Sequence, residues 1–296
     1  MRISPESARP LDHLVLPTAD LAVAAARLKR LGFTIAPEGV HPFGTRNACV
    51  YFSDGTFLEP LAIGDHAAAQ AAVATGNVFV ARDRAFRSRN GEEGFSALVF
   101  GTHDARTDDD HFRGRGISAG NMLSFSRPFL DAEGRHDTAS FLLAFAADRS
   151  APEAFFFTCE RVNTPASDRA ALQRHANGVS GIARVVLSAS TPRSHADFLA
   201  LLIGHGPVLQ ELERIDFQTA NAVVSVVTPD RLRAETDISA GEGELRPSAI
   251  VFRIPDLQIA MRLFDRNSIA FRQHERRIVV APEPGQGAIF VFEASS

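Results

Sequence analysis

The sequence is poor in cysteine and lysine and contains no long apolar run. Its two cysteines, Cys49 and Cys159, lack the spacing of metal or redox motifs and lie in apolar, strand-like runs. We therefore expect buried free thiols in a reducing compartment. No apolar run approaches the ~20 residues that a membrane-spanning helix needs, and the polar segment 1–10 lacks the apolar core of an export signal. These absences predict a cytoplasmic protein with no membrane partner.

Signals for several functional classes are also missing. No glycine-rich phosphate loop follows a predicted strand, and no Gly-x-Ser-x-Gly nucleophile elbow is present, so nucleotide chemistry and serine hydrolysis are not predicted. The formal net charge of −4 provides no broad basic field, so nucleic acid is not an expected partner. The apolar fraction of 45% is that of an ordinary globular protein.

What the sequence does contain is an internal repeat. An apolar strand at 11–16 precedes Asp20, which is followed by apolar residues at helical spacing, and the same order returns 236 residues later around Asp256. Weaker copies begin near Gly94 and Ile182. Each copy predicts a βαβββ module, with the aspartate as the N-cap of its helix.

Four such modules predict an α+β fold in which paired modules form two curved mixed sheets, each with helices on its convex face. The length of 296 residues also favours about two domains. We therefore predict a first domain at 1–165, with modules one and two, and a second at 166–296, with modules three and four. The polar, Arg-rich segment 81–93 is expected to be a linker between modules one and two.

Two side chains of module one are placed to meet inside the first sheet. Because alternate residues of a strand face the same side, His13 lies opposite Leu14 and Leu16, which are expected under the helix. Glu59 lies in the last strand of the same module. An imidazole beside a carboxylate can bind a divalent metal, or can act as a general base with its orienting partner. A purely structural His–Glu hydrogen bond is the alternative interpretation.

Further polar residues could complete such a site. The segment 41–47 reads as a loop in which His41, Thr45 and Asn47 offer donors and acceptors to a substrate, although plain turn chemistry explains them equally well. Arg127 could hold a carboxylate or enolate with two hydrogen bonds, unless it is a solvated surface arginine. Glu160 could reach the pocket from module two.

Together these residues resemble the vicinal oxygen chelate superfamily, and more narrowly its glyoxalase-like branch. The resemblance rests on a small set of motifs, which are Asp12-His13-Leu14-Val15-Leu16, the loop His41-Pro42-x-Gly44-Thr45-x-Asn47, Phe57-Leu58-Glu59, Arg127-Pro128 and His175-Ala176-Asn177-Gly178. It implies a cup that holds a divalent metal such as Zn, Ni, Mn or Fe. The implied ligands are His13 and Glu59, with Glu160 as the third candidate. Ala97 occupies the equivalent first-strand position of module two and cannot bind a metal, which weakens the dioxygenase interpretation.

The sequence thus predicts a glyoxalase-like lyase or isomerase that acts on a small oxygenated metabolite by metal-assisted or His/Glu-assisted proton transfer. The expected catalytic residues are His13, Glu59 and Arg127, and the expected substrate-binding residues are His41, Thr45 and Asn47. A metal-free protein that binds or sequesters a ligand in the same cup is the alternative, followed by an extradiol-type dioxygenase. The expected partner is a small molecule, and a homodimer is left open.

The second half is expected to be degenerate. Arg184 and Ala249 stand at the positions that correspond to His13 in modules three and four. Neither can replace a metal-binding histidine, so the second cup should be filled by side chains or closed.

Overall fold

The computed structural model describes residues 8–130, 136–163, 169–239, 241–274 and 276–294. Its strands are β1 (Leu11–Pro17), β2 (Gly39–Val40), β3 (Thr45–Asn47), β4 (Val50–Tyr51), β5 (Phe57–Ile63), β6 (Ala97–Gly101), β7 (Leu123–Leu130), β8 (His136–Ala146), β9 (Phe155–Asn163), β10 (Gly181–Ser188), β11 (Leu209–Gln210), β12 (Arg214–Gln218), β13 (Val223–Val227), β14 (Arg246–Ile254), β15 (Arg272–His274), β16 (Arg277–Val280) and β17 (Ile289–Ala294). Its helices are α1 (Leu21–Arg30), α2 (His66–Ala74), α3 (Val78–Asn90), α4 (Ala105–Gly114), α5 (Ala196–Ile203), α6 (Pro229–Thr236) and α7 (Leu257–Arg266), with a 3₁₀-helix at Pro192–His195. No helix in these segments is both long and apolar enough to cross a bilayer.

The described strands form two mixed sheets, one for each pair of modules, so the predicted α+β fold class is confirmed. The first has the order β2-β3-β5-β1-β6-β9-β8-β7, with β4 added beside β5, and the second has the order β11-β12-β13-β10-β14-β17-β16-β15. The first and last strands of a module pair in parallel, as β1 does with β5, and the two modules join through an antiparallel pair, as β1 does with β6.

The predicted helix caps are present. The carboxylates of Asp20, Asp104 and Asp256 each accept a hydrogen bond from a backbone N–H of the first helical turn. Such a bond satisfies one of the donors that a helix leaves unpaired at its start. The aspartate of the repeat therefore starts α1, α4 and α7 in the same way.

The expectation of a linker at 81–93 is wrong, because most of this segment belongs to α3. Asn77 caps α3 through the N–H of Val80, and Phe79 and Phe86 are buried on its inner side. The many arginines of the segment made it read as a polar linker, so its apolar face was not predicted. One of them, Arg87, is itself buried and pairs with Asp83 on the preceding turn.

The convex faces of the two sheets share one hydrophobic core, together with α1, α4, α5 and α7. Leu14 and Leu16 lie in this core, as strand alternation predicts. Phe33 marks the junction of the halves, because its ring lies 5.3 Å from Phe252 and 6.1 Å from Phe290. The concave faces therefore point away from this shared core.

The concave faces are partly covered. In the first sheet, Phe79 and Val80 of α3 pack with Val15, Val99 and Phe157. In the second sheet, a separate cluster joins Leu232 of α6 to strand residues of the concave face. The part of the first concave face that α3 leaves open is the end of the cup where His13 lies.

Candidate functional site

A pocket opens on the concave face of the first sheet. Histidines, carboxylates, arginines, cysteines and aromatic rings line it, namely Asp12, His13, His41, Phe43, Asn47, Cys49, Tyr51, Phe57, Glu59, Phe79, Phe125, Arg127, Phe141, Leu143, Phe157, Cys159, Arg161 and Arg169. Five of the residues predicted from the sequence, His13, His41, Asn47, Glu59 and Arg127, are thus brought to one pocket.

His13 is held between two carboxylates. Its Nδ1 lies 2.6 Å from Asp12 Oδ1, its Nε2 lies 3.4 Å from Glu59 Oε2, and its ring stacks on Phe57 at 4.4 Å. Burial lowers the pKa of His13, but the hydrogen bonds and charges of Asp12 and Glu59 outweigh burial, so the net pKa is raised above its ordinary value. In its protonated form the His13 ring offers the Nε2–H to an oxygen atom in the pocket.

Glu59 points into the pocket from β5. Asn47 Nδ2 donates to Glu59 Oε1 at 2.6 Å, and His41 Nε2 lies 3.8 Å from the same oxygen. Burial raises the pKa of Glu59, but the contacts with His13, His41 and Asn47 outweigh it and lower the pKa to about 2. Glu59 is therefore a carboxylate at neutral pH.

His41 lies beside this pair as a neutral ring. Its Nδ1 lies 2.8 Å from Thr45 Oγ1, and its ring stacks on Phe43 at 5.0 Å. Burial is the main cause that lowers the pKa of His41 to about 4. Thr45 is fully buried behind this ring, so the expectation of a direct substrate contact at Thr45 is corrected to a role in orienting His41.

This neutral histidine leads to a prediction about pH. We expect the free energy of unfolding to fall by on the order of 3 kcal/mol between pH 6.5 and pH 4 because of His41 alone. The unfolded chain takes up a proton at His41 near 6.5, whereas the folded site resists protonation until about pH 4. Its stability contribution is therefore present above pH 6.5 and is lost as the pH falls.

Urea-denaturation curves at pH 7 and pH 4.5 measure this effect. The variant His41→Gln should show a smaller loss of unfolding free energy between the two pH values than the wild type. The same pH dependence in both proteins would contradict the prediction.

Arg127 approaches from module two, as predicted. It lies on β7 at the edge of the first sheet, and its guanidinium is 5.9 Å from the Phe141 ring centre. A Cβ atom built on Gly39, in the opposite edge strand β2, would lie 2.1 Å from Arg127 Nη1. The absence of a side chain at Gly39 lets this arginine reach across to the strands of module one.

Glu160 is not part of the pocket, which corrects its proposed role as a metal ligand. Its Oε2 accepts a hydrogen bond from the Ala105 N–H, at the start of α4. In β9 the neighbours Cys159 and Arg161 face the pocket instead. The sequence interpretation therefore chose a residue that faces away from the pocket, next to the two residues of this strand that face it.

The sequence interpretation missed four polar residues of the pocket, Asp12, Tyr51, Arg161 and Arg169. Strand alternation would have identified Arg161 if the register of β9 had been known. Asp12 precedes His13, and simple strand alternation would place it on the face opposite to His13. Arg169 lies over the Tyr51 ring at 4.5 Å, outside any described strand, and no sequence signal identifies this contact.

The donor set does not fit the metal site that the resemblance implies. The Asn47 amide stands between Glu59 Oε1 and His41 Nε2, at 2.6 Å and 3.5 Å. Asp12, the other carboxylate of the pocket, is bound by Arg161 and His13. Within the described segments, no group of three or more His, Cys, Asp or Glu side chains is arranged to hold a metal ion. His13 and Glu59 remain a pair without a third ligand.

The second concave face is occupied by an apolar cluster under α6 and by an ion-pair network beside it, in agreement with the prediction that this cup is filled by side chains. Arg184 Nη2 lies 2.7 Å from Glu235 Oε2, and Glu235 comes from α6. The same carboxylate accepts a hydrogen bond from Arg231 Nε at 2.9 Å. Glu293, the counterpart of Glu59 in module four, pairs with Arg277 at 3.2 Å. The charge of Arg184, at the position that corresponds to His13, is thus neutralised by a carboxylate of the same half.

Comparisons with known proteins agree with this architecture. The model of the glyoxalase-like domain matches residues 11–203, and no curated protein matches the chain significantly. A hypothetical protein from Staphylococcus aureus superposes with a TM-score of 0.67 at 12% identity, covering 97% of this chain and 99% of its own.

Two characterised enzymes share the fold. A mutant of 4-hydroxymandelate synthase from Streptomyces coelicolor superposes with a TM-score of 0.62 at 14% identity, covering 98% of this chain and 94% of its own. An Mn(II)-bound glyoxalase from Novosphingobium aromaticivorans gives 0.53 at 8% identity, with coverages of 97% and 82%. Since the family model spans more than half of the sequence, this chain belongs to the glyoxalase-like domain family.

Proposed function

We propose that this protein is a glyoxalase-like enzyme of the lyase or isomerase type, which moves a proton on a small metabolite that carries an oxyanion. The single observation that carries the proposal is the buried pair of His13 and Glu59, with Nε2 3.4 Å from Oε2 at the surface of the pocket. The proposal includes the division of the chain into an active half at 1–165 and a degenerate half at 166–296, with Arg169, four residues past this boundary, also lining the pocket.

The two residues have complementary roles. His13 Nε2–H donates a hydrogen bond to the substrate oxygen on which negative charge develops, which stabilises an enolate. Glu59 removes the proton from the adjacent carbon. Their separation of 3.4 Å is longer than the roughly 2.8 Å of a strong charge-assisted hydrogen bond, so a substrate oxygen can replace Glu59 as the acceptor. Glu59 then loses one of the contacts that lower its pKa, while those with His41 and Asn47 remain, and it becomes a stronger base.

The walls favour an anion with an apolar portion. Arg127 supplies a planar guanidinium at the end of the pocket that faces module two, a geometry that suits a carboxylate. Phe57, Phe125 and Phe141 supply apolar surface beside it. A few polar groups that converge within apolar walls are typical of small-molecule sites.

The resemblance to the vicinal oxygen chelate superfamily implies a divalent metal as the alternative, and one structural neighbour is an Mn(II)-bound glyoxalase. In this chain, His13 and Glu59 lack a third protein ligand among the described residues. We therefore assign the proton transfer to the two side chains themselves. A protein that binds its ligand without chemistry is the second possibility, and the test below separates the two.

The test uses a panel of α-hydroxy and α-oxo acids with alkyl or aryl tails, incubated with the protein in D₂O. We expect at least one acid to lose its α-proton or β-proton signal in the ¹H NMR spectrum more than about ten-fold faster than without protein. His13→Ala should abolish this exchange, whereas added EDTA or Mn²⁺ should change its rate less than about two-fold.

Two results would contradict the proposal. Line broadening of an acid without exchange would assign the pocket to a binding protein. Exchange that disappears with EDTA and returns with Mn²⁺ would replace the side-chain mechanism by a metal-dependent one.

A further inference from the structure

An irregularity in β1 determines what lies beside His13. In the pairing of β1 with β6, Leu11 faces Phe100 and His13 faces Val99, so Asp12 is an extra residue without a partner. A bulge of this kind turns a side chain from the face that simple alternation gives it. As a result, Asp12 lines the same pocket as His13, although the two residues are adjacent in the chain.

We propose that Asp12 and Arg161 form a positioning pair that holds the His13 ring with Nε2 directed toward Glu59 and the substrate. The inference rests on the proposed function, because it assigns a purpose to the orientation of His13. It adds two residues that act through His13 and need not touch the substrate.

The contacts fix both oxygens of Asp12. Oδ1 accepts hydrogen bonds from His13 Nδ1 at 2.6 Å and from Arg161 Nη2 at 2.8 Å, and Arg161 Nη1 lies 2.8 Å from Oδ2. A two-point contact between guanidinium and carboxylate fixes the orientation of both groups. Asp12 is only 5% exposed, so its charge requires this partner.

The anchored carboxylate restricts the ring. A histidine ring is free to turn about its terminal side-chain bond unless one of its nitrogens is bound. With Nδ1 committed to Asp12, Nε2 is the nitrogen that faces Glu59. The same arrangement orients Nε2 toward a substrate oxygen that takes the place of Glu59.

Arg161 also explains what module two contributes. It lies on β9, which is separated from β1 by the intervening strand β6. Module two carries Ala97 in place of a histidine, so it has no imidazole of its own to offer from that strand. Through Arg161, it completes the orientation of the imidazole that module one provides.

The second half of the chain contains an internal comparison. In β10, Ile182 faces Phe252 and Arg184 faces Val251, so Ala183 is the extra residue of an equivalent bulge. Both halves therefore have the bulge, but only the first half has a carboxylate, that of Asp12, at the extra residue. An aspartate occurs at the bulge in the half that also has the histidine.

The test compares Asp12→Ala with Asp12→Asn, and reads the His13 ring by NMR of ¹⁵N-labelled protein, with His13→Gln used for assignment. We expect the hydrogen-bonded Nδ1 proton of His13 to be lost in Asp12→Ala and retained in Asp12→Asn, because an asparagine oxygen still accepts a hydrogen bond. Proton exchange on the active acid should fall about 10- to 100-fold in kcat for Asp12→Ala, with a much smaller change in KM.

A matched control lies outside the pocket. Asp148 Oδ2 is 2.7 Å from His195 Nδ1, a contact of the same kind. Asp148→Ala should alter the His195 signals and leave those of His13 unchanged. If Asp12→Ala does not fold, Arg161→Gln supplies the second variant, since it removes the two-point contact and should broaden or shift the His13 Nδ1 proton.

The outcomes separate the two proposals. A His13 Nδ1 proton that is unaffected in both Asp12→Ala and Arg161→Gln would overturn the positioning role. A lost Nδ1 proton in Asp12→Ala, together with wild-type protein that exchanges no acid of the panel, would support the positioning role and reject the proposed function.

Discussion

Replacing Glu59 by glutamine is expected to slow proton exchange on the active acid by about 10²- to 10⁴-fold, the range that a general base contributes. The amide keeps the shape of the side chain but has no basic carboxylate. It also removes one of the two negative charges that raise the pKa of His13, so that pKa should fall in Glu59→Gln. The exchange rate by ¹H NMR and the pH titration of the His13 ring measure the two effects.

Glu293→Gln is the matched control, because Glu293 is the corresponding residue of module four and pairs with Arg277 outside the pocket. It should change the exchange rate less than about two-fold, as expected of a surface substitution away from the site. If Glu59→Gln keeps the wild-type rate, Glu59 is not the base.

Replacing Arg87 by methionine is expected to lower the free energy of unfolding by about 3–5 kcal/mol, which is typical when one partner of a buried ion pair is removed. Arg87 Nε donates to Asp83 Oδ2 at 2.8 Å, and its guanidinium also donates to the carbonyl oxygens of Thr18 and Leu61. Without it, Asp83 becomes a buried carboxylate that lacks its partner. Urea denaturation of the purified variant measures the loss.

Two further variants test whether the loss of stability in Arg87→Met comes from the unpaired charge of Asp83. Arg84→Ala, on the exposed side of the same helix, should change the stability by no more than about 0.5 kcal/mol. The double variant Arg87→Met with Asp83→Leu should recover much of the lost stability, because it leaves no unpaired buried charge. A loss in Arg87→Met that the double variant does not reduce would assign the effect to the carbonyl contacts instead.

The period of two in a strand explains how much of the site the sequence predicted. It placed His13 and Glu59 on the concave face and Leu14 in the shared core, because the alternation in β1 and β5 is regular from His13 onward. It failed for Asp12, because a bulge adds one residue and no side-chain pattern reveals that addition. It failed for Glu160, because an error of one residue in register inverts every assignment in a strand.

The contact partners of residues that are far apart in the chain could not be predicted from the sequence, for a different reason. The second cup was predicted to be filled, since Arg184 and Ala249 cannot form a metal site. The partner of Arg184 there, Glu235, belongs to a helix some fifty positions away, and only the fold brings its carboxylate to Arg184. The buried apolar face of α3 was also not predicted, because the many arginines of this helix are typical of a solvent-exposed segment.

The back-to-back arrangement of the sheets places unequal demands on the second half. Its convex side must fit the rings of the first half, where Phe252 meets Phe33 and Phe52 at 5.3 Å and 5.7 Å. Its concave side holds no residue that the pocket uses. The rear surface of the second sheet is thus constrained by its packing against the first sheet, whereas its concave surface packs under α6 and lies apart from the first pocket.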